Sequence, residues 1–371
     1  MSKTDVLDQK ALASAKQHMG VVAWPTIVLG LALGVSYLAT VAMVLAGVLS
    51  VLPATPLVAV ITYFSYTVLH ESVHGSIGGN RQSLRWINKA LGYMAAWILM
   101  IPLTAHRHEH MAHHRHTNDE VEDPDFHVGQ MRNSPQAAAR ATLQAIISQF
   151  SYYSKHRWAT APAKEKLYLC LEVAAALIPR LAVLAAGYWV EGLALFVLAW
   201  LIGATVLLYL FAFIVHQPHE QVGRYVDTST ILFSRPLHSL FTGLWMFQNY
   251  HSIHHLFPRV PFYKYAKLYE DIEHIMAAKG APVYRITLRG LELSSPRLAS
   301  LAVLTIAGQR SSAKMSTNCY STETEISYQT EKQNGNDYYR GWCWTDGHVL
   351  AQACDQSARL RPVPPYGGST S

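Results

Sequence analysis

From Val21 to His70 the chain runs for fifty consecutive residues without one Asp, Glu, Lys or Arg. A membrane-crossing helix needs roughly 20 apolar residues, so a stretch of this length predicts two spans and the turn between them. Composition agrees: 15% of the 371 residues are charged, against about 25% in a soluble domain. The net charge of +6 therefore does not point to a nucleic-acid binder, and a chain this apolar is not a disordered one.

The first apolar block breaks at Ser50–Pro56, where Pro53 and Pro56 predict the end of one helix and the start of the next. This gives spans at about 26–49 and 56–73. A second block begins after Lys166 and ends at Val215, with Glu191-Gly192 as the expected turn. It gives spans at about 170–190 and 193–215. Arg180, beside Pro179, interrupts the third span and is expected to snorkel or to pair with Glu172. The segment Leu84–Leu103 is apolar but carries Arg85 and Lys89, which suits a helix lying along the interface.

Neither hairpin turn contains Lys or Arg, whereas Arg81–Lys166 contains eleven. Basic residues stay on the cytoplasmic side, so both termini and the middle segment are expected there. The first twenty residues mix Lys3, Lys10 and Lys16 with Asp5 and Asp8, a pattern unlike a cleavable leader. Leu268, Ile272 and Ile275 predict a helix over 265–279 with Gly280 as its C-cap. The expected organisation is a cytoplasmic segment over 1–20, a membrane domain over 21–293 and a polar tail over 294–371. Apart from the short apolar run Leu298–Ala307, the tail shows no periodic pattern and is expected to lack order. Cys170, Cys319, Cys343 and Cys354 form no metal-binding or disulfide pattern.

Histidine is the other unusual feature. Nineteen are present, and seven fall between His106 and His127. Three clusters stand out: His70 with His74, then His110 with His113 and His114, then His251 with His254 and His255. Spacings of three and four place side chains on one helical face. All three clusters lie at or beyond the cytoplasmic ends of predicted spans, whereas transporters carry ionisable ligands near the midplane. Eight imidazoles are twice what a tetrahedral zinc site uses, so the set suits two metal ions. Imidazole accepts Fe, Zn, Cu and Ni, and the donor count alone leaves the metal open.

In order and spacing, H-x-x-x-H, H-x-x-H-H and H-x-x-H-H resemble the integral-membrane fatty acid desaturase superfamily over roughly residues 21–285. Arg85-Trp-Ile-Asn88, Asp123-Pro124-Asp125-Phe126-His127 and Gln248-Asn249-Tyr250-His251, with Leu256-Phe257-Pro258 and Pro261-Phe262-Tyr263, are similar to its carotenoid-ring hydroxylase branch. The resemblance implies an all-α integral membrane fold: four transmembrane helices in two hairpins, with a cytoplasmic helical cap holding a histidine-rich di-metal site. It also implies a non-haem di-iron centre (two Fe ions) with O2 as co-substrate, acting on an unactivated C–H bond of a lipid. Acyl-chain desaturation is the broad expectation, with carotenoid ring hydroxylation and terminal-alkene-forming fatty acid decarboxylation as alternatives.

The implied ligands are His70, His74, His110, His113, His114, His251, His254 and His255, with one more histidine after the last span. His216 and His219 are both candidates for that place, and the Pro218-His219 pair favours His219. His106 and His108 are expected outside the ligand set, and His116 is not counted. Asp123 and Asp125 are placed to hydrogen-bond the far nitrogens of ligand histidines. No G-x-G-x-x-G fingerprint or fused haem-carrier motif is present. Electrons are therefore expected from a separate ferredoxin or cytochrome-type carrier with its reductase.

Overall fold

The computed structural model describes residues 3–287 and 290–294, together with short strands between 327 and 349. The described parts of residues 1–303 and of 304–371 form two separate units. In the first, helix α1 (Lys3–His18) precedes α2 (Trp24–Leu45) and α3 (Val51–His74). Then come α4 (Arg85–Leu99), α5 (Leu103–His116), α6 (Pro135–His156) and α7 (Ala163–Ala185). The long helix α8 (Trp189–His216) follows. Three shorter helices, α9 (His238–Leu244), α10 (His251–Leu256) and α11 (Tyr265–Ala278), complete the set. A small sheet joins β1 (Thr230–Leu232), β2 (Val283–Thr287) and β3 (Gly290–Leu293), with β1 parallel and β3 antiparallel to β2.

Helices α2, α3, α7 and α8 are long and apolar enough to cross a membrane, as the two apolar blocks predict. On α2, Trp24, Val28, Leu31, Val35 and Leu38 are all exposed, while Ile27, Gly30, Gly34 and Tyr37 are buried. The exposed stripe recurs every three or four residues. An apolar face left outward on this scale marks a surface that meets lipid rather than water. Helix α7 repeats the pattern more strongly, with only Ala176 and Arg180 buried.

The boundaries differ from the sequence expectation in two places. Pro53 and Pro56 do not separate two helices but lie in the first turns of α3, near the end where a missing N–H costs least. The first turn falls at 46–50, with Gly47 in the left-handed region at φ 73°. The second hairpin turns at Ala186–Tyr188, where Gly187 has φ 94°, and Glu191-Gly192 lies inside α8. Between the hairpins, α4 and α5 meet at a 95° bend, so Leu84–Leu103 is not a straight span. Met100, at φ 55°, ends α4, and Pro102 opens α5.

Arg180 neither snorkels nor pairs with Glu172. It is buried inside the bundle, where it donates to the carbonyls of Ala176 (2.6 Å) and Trp97 (2.8 Å) and to the Tyr37 hydroxyl (3.1 Å). Its guanidinium also lies 4.8 Å from the centre of the Trp97 ring, a favourable cation–π placement. Glu172 instead accepts from the backbone N–H (2.9 Å) and the hydroxyl (2.5 Å) of Thr104 at the start of α5.

In the second unit, β4 (Ser327–Gln333) pairs antiparallel with β5 (Asn336–Trp342), and β6 (Trp344–Thr345) with β7 (His348–Val349). Leu298–Ala307 and the rest of the tail lie outside the described residues.

Helices α3 and α4 approach closely because Gly92 carries no side chain: a Cβ there would lie 2.0 Å from Ser72 Oγ. That hydroxyl is already committed to the Asn88 carbonyl at 2.6 Å. Gly92→Val is therefore expected to destabilise the bundle by about 1–3 kcal/mol through overpacking. Thermal unfolding of detergent-solubilised protein measures this, and an unchanged midpoint would show that the two helices do not depend on this contact.

Candidate metal centre

Four helices deliver histidines to one place. The last turn of α3 supplies His70 and His74, and its helix stops directly after them at Gly75, whose φ of 67° gives a left-handed C-cap. Helix α5 supplies His110, His113 and His114, the end of α8 supplies His216, and α10 supplies His251, His254 and His255. Two groups of ring nitrogens result. His70, His74, His110, His114 and His254 form one; His113, His216 and His255 form the other, with all atoms in a group within 4.8 Å of one another.

The nitrogens face each other closely. Within the first group, His110 Nε2 lies 2.9 Å from His74 Nε2 and 3.1 Å from His114 Nε2, and His114 Nε2 lies 2.9 Å from His254 Nε2. Within the second, His216 Nε2 lies 3.0 Å from His113 Nε2 and 3.4 Å from His255 Nε2. A neutral imidazole has one N–H and one lone pair, and in the second group the N–H is committed outward. His113 Nδ1 donates to Asp123 Oδ1 at 2.9 Å, and His216 Nδ1 donates to the Ala212 carbonyl. The Thr117 hydroxyl donates to the His113 carbonyl and so receives His255 Nδ1–H at 3.3 Å. With all three rings neutral, as ligation requires, their Nε2 lone pairs point at one another, an arrangement that repels unless a cation lies among them. Nitrogen donors around a metal at about 2.0–2.1 Å stand about this far apart, so the donor set fits metal ions.

Supporting groups fix the rings. Gln248 Oε1 accepts from His251 Nδ1 at 2.9 Å, and the Tyr265 hydroxyl lies 3.0 Å from His254 Nδ1. Glu71, between His70 and His74, accepts from the Phe262 backbone N–H at 2.6 Å and from the Thr26 hydroxyl. It thus ties α3 to α2 and to the segment after α10. Burial, reinforced by neighbouring imidazoles, pushes His254 and His255 well below the ordinary value, which keeps them in the neutral form that ligates. Burial opposes charge on His113 too, but the Asp123 carboxylate outweighs it and lifts this imidazole to about 9, so at neutral pH its Nε2 holds a proton that a bound cation would displace. An outer carboxylate makes its imidazole the more basic donor.

Not every candidate joins a group. His251 lies beside the second, its ring centre 4.8 Å from that of His216 and 4.7 Å from that of His255, without being among the three. His219 stands apart. Its Nε2–H donates to the Phe213 carbonyl at 2.8 Å, and its ring stacks on Phe213. The structure thus places His216, rather than the expected His219, among the converging nitrogens. His106 Nδ1–H donates to Gln149 Oε1 at 2.8 Å, His108 faces Glu165 at 3.0 Å and His116 faces Glu122 at 2.9 Å. All three are outside both groups. Of the two aspartates, only Asp123 bonds His113, since Asp125 lies 3.8 Å away. The sequence assigns no role to Glu71, Thr117 or Tyr265, and it names Gln248 only as part of the Gln248–His251 motif. Its place three residues before His251 is the signal for its role.

Beside the histidines lies a mainly apolar cavity between α3, α5, α6 and α8. His70, His110, His216 and His251 form its floor, and Tyr66, Phe150, Trp200, Leu207 and Phe211 are among its walls. A membrane bundle that brings three histidine clusters to the end of such a cavity has the donors to hold metal ions beside an apolar, lipid-like ligand. The fatty acid desaturase family matches residues 46–287, and the chain belongs to it. It is an integral membrane oxidoreductase of lipid metabolism. No curated protein matches the chain.

The two late histidines separate by experiment. His216→Ala is expected to weaken metal retention by at least roughly 10–100-fold, the range seen when only an outer partner is lost, and His219→Ala to leave it unchanged. Metal analysis of the purified variants checks this, and the reverse order would return the ninth place to His219.

Proposed function

We propose that the protein is an O2-dependent, non-haem di-iron enzyme that withdraws hydrogen from unactivated C–H bonds of a long apolar lipid, and specifically that it desaturates an acyl chain. The observation that carries this reading is the junction of an apolar cavity with inward-facing imidazole lone pairs. His70, His74, His110, His114 and His254 would hold one iron. His113, His216 and His255, with His251 beside them, would hold the other. The irons supply activation of O2 and removal of hydrogen.

The chain's own residues do the rest. Tyr66, Phe150, Trp200, Leu207 and Phe211 exclude water and hold an unbranched chain against the histidine floor. Asp123, Gln248 and the Ala212 carbonyl hold the N–H of three imidazoles away from that floor. Electrons come from a separate ferredoxin or cytochrome-type carrier. Hydroxylation of a carotenoid ring is the second reading. It is favoured by the Asp123–His127 and Gln248–Tyr263 motifs and by the aromatic walls of the cavity. Formation of a terminal alkene needs the same parts. A metal transporter is disfavoured because the histidine groups stand at helix ends rather than mid-span.

Both termini and the histidine centre are placed on the cytoplasmic side, from the basic residues of 81–166. Lipid profiling of cells with and without the protein tests the function. New double bonds in acyl chains are expected; hydroxylated carotenoids would select the second reading. No lipid change in iron-replete cells supplied with a reductase and carrier would defeat both. Labelling of cysteines placed at Lys155 and Gly187 checks topology, with an outward-facing Lys155 overturning the orientation.

A further inference from the structure

A second hollow reaches the histidine centre from another side. It encloses about 530 Å³. Arg85 and Lys89 of α4, Arg107 of α5 and Arg259, which follows α10, project around it, and His74 lies in its wall. No Asp or Glu lines it. Among the described residues none of the four cations forms an ion pair. Like charges gathered on a concave surface repel one another and raise the local concentration of an anionic partner. The positive-inside tendency accounts for basic residues on this side of the membrane. It does not account for four of them converging on one recess.

His74 links the recess to the centre: it is half-buried, and its Nε2 lies 2.9 Å from His110 Nε2. The apolar cavity meets the same group through His70 and His110, and the two hollows share no lining residue. One face of the first histidine group is thus apolar and lined for a lipid chain, and another is basic and open to water.

Building on the oxidoreductase reading above, we propose that the Arg85–Lys89–Arg107–Arg259 recess is the docking surface for an acidic one-electron carrier protein, with His74 as the point of electron transfer into the metal centre. Each encounter oxidises one reduced carrier by one electron. Two such electrons and two protons, with two hydrogens withdrawn from the lipid, reduce one O2 to two waters as one double bond forms. The substrate does not need this surface, because its cavity opens elsewhere. The long-range attraction of an acidic carrier does need it, and such steering weakens with salt.

The test uses the full-length, iron-loaded protein in nanodiscs and a reduced plant-type [2Fe–2S] ferredoxin as the probe. Stopped-flow reduction of the centre is followed at low and moderate salt. The double variant Arg107→Glu with Arg259→Glu is expected to lower the second-order rate at least tenfold and to flatten its salt dependence. Reduction by methyl viologen radical, a small cation, should be as fast or faster, which shows that the centre is intact. Arg107→Lys with Arg259→Lys should keep most of the ferredoxin rate. Binding of oxidised ferredoxin to the metal-free protein should weaken in parallel in the Glu variant.

An unchanged ferredoxin rate in the Glu variant overturns the proposal. So does a raised KM for the lipid with an unchanged ferredoxin rate, which would make the recess a site for an anionic lipid headgroup. If viologen-reduced protein still modifies lipid, the enzymatic reading survives either result. If it takes up electrons yet never modifies lipid, that reading fails independently of docking.

Discussion

The arrangement on which the rest of the structure depends is the opposition of imidazole lone pairs. His113, His216 and His255 turn their Nε2 atoms toward one another while their Nδ1–H groups are committed to Asp123, the Ala212 carbonyl and Thr117. Buried polar atoms facing like atoms oppose folding unless something compensates. Cations that bind only the assembled site return their binding energy as folding energy. A cation bound there would hold helices α3, α5, α8 and α10 in register, leaving packing to supply their coarse alignment.

That packing shows where precision is concentrated. Glu71 sits between two histidines of the first group and holds the backbone of Phe262, so the end of α3 and the segment after α10 move together. Gly92 lets α4 approach Ser72 one residue from Glu71. Gly203 does the same on the opposite side, where a Cβ would lie 2.7 Å from the Ala59 carbonyl. The helix carrying the first two histidines is thus gripped from both flanks. By contrast α7 buries only Ala176 and Arg180, and polar bonds rather than a packed face hold it, those of Arg180, of Glu172 to Thr104 and of the Ala175 carbonyl to Trp97.

The centre also lies on a dielectric boundary. An apolar cavity reaches it from within the bundle and a basic recess reaches it past His74. The proposed removal of hydrogen from a lipid requires that water be kept from the reacting carbon, while the proposed carrier would reach the centre from water. Meeting the same histidine group from two sides satisfies both demands without moving either reactant through the other's path.

Much of this was legible in the chain. Fifty uncharged residues forced a membrane hairpin, and spacings of three and four put each histidine cluster on one helical face, because both follow from the repeat of the α-helix. What one dimension cannot carry is which way a ring turns once the chain leaves regular structure. His216 closes α8 just after a π-helical stretch at Leu208–Phe213, and a wider turn shifts the face that follows it. His219 comes after the chain has turned, with φ 67°, and spends its Nε2–H on the Phe213 carbonyl. Likewise Arg180 resembled a defect in a span, yet carbonyls and rings from α2, α4 and α7 surround it. The sequence by itself determined the membrane class, the histidine faces and the family. Only the tertiary structure decided which histidines meet, because the ring nitrogens that face one another across the centre belong to residues as much as 140 positions apart.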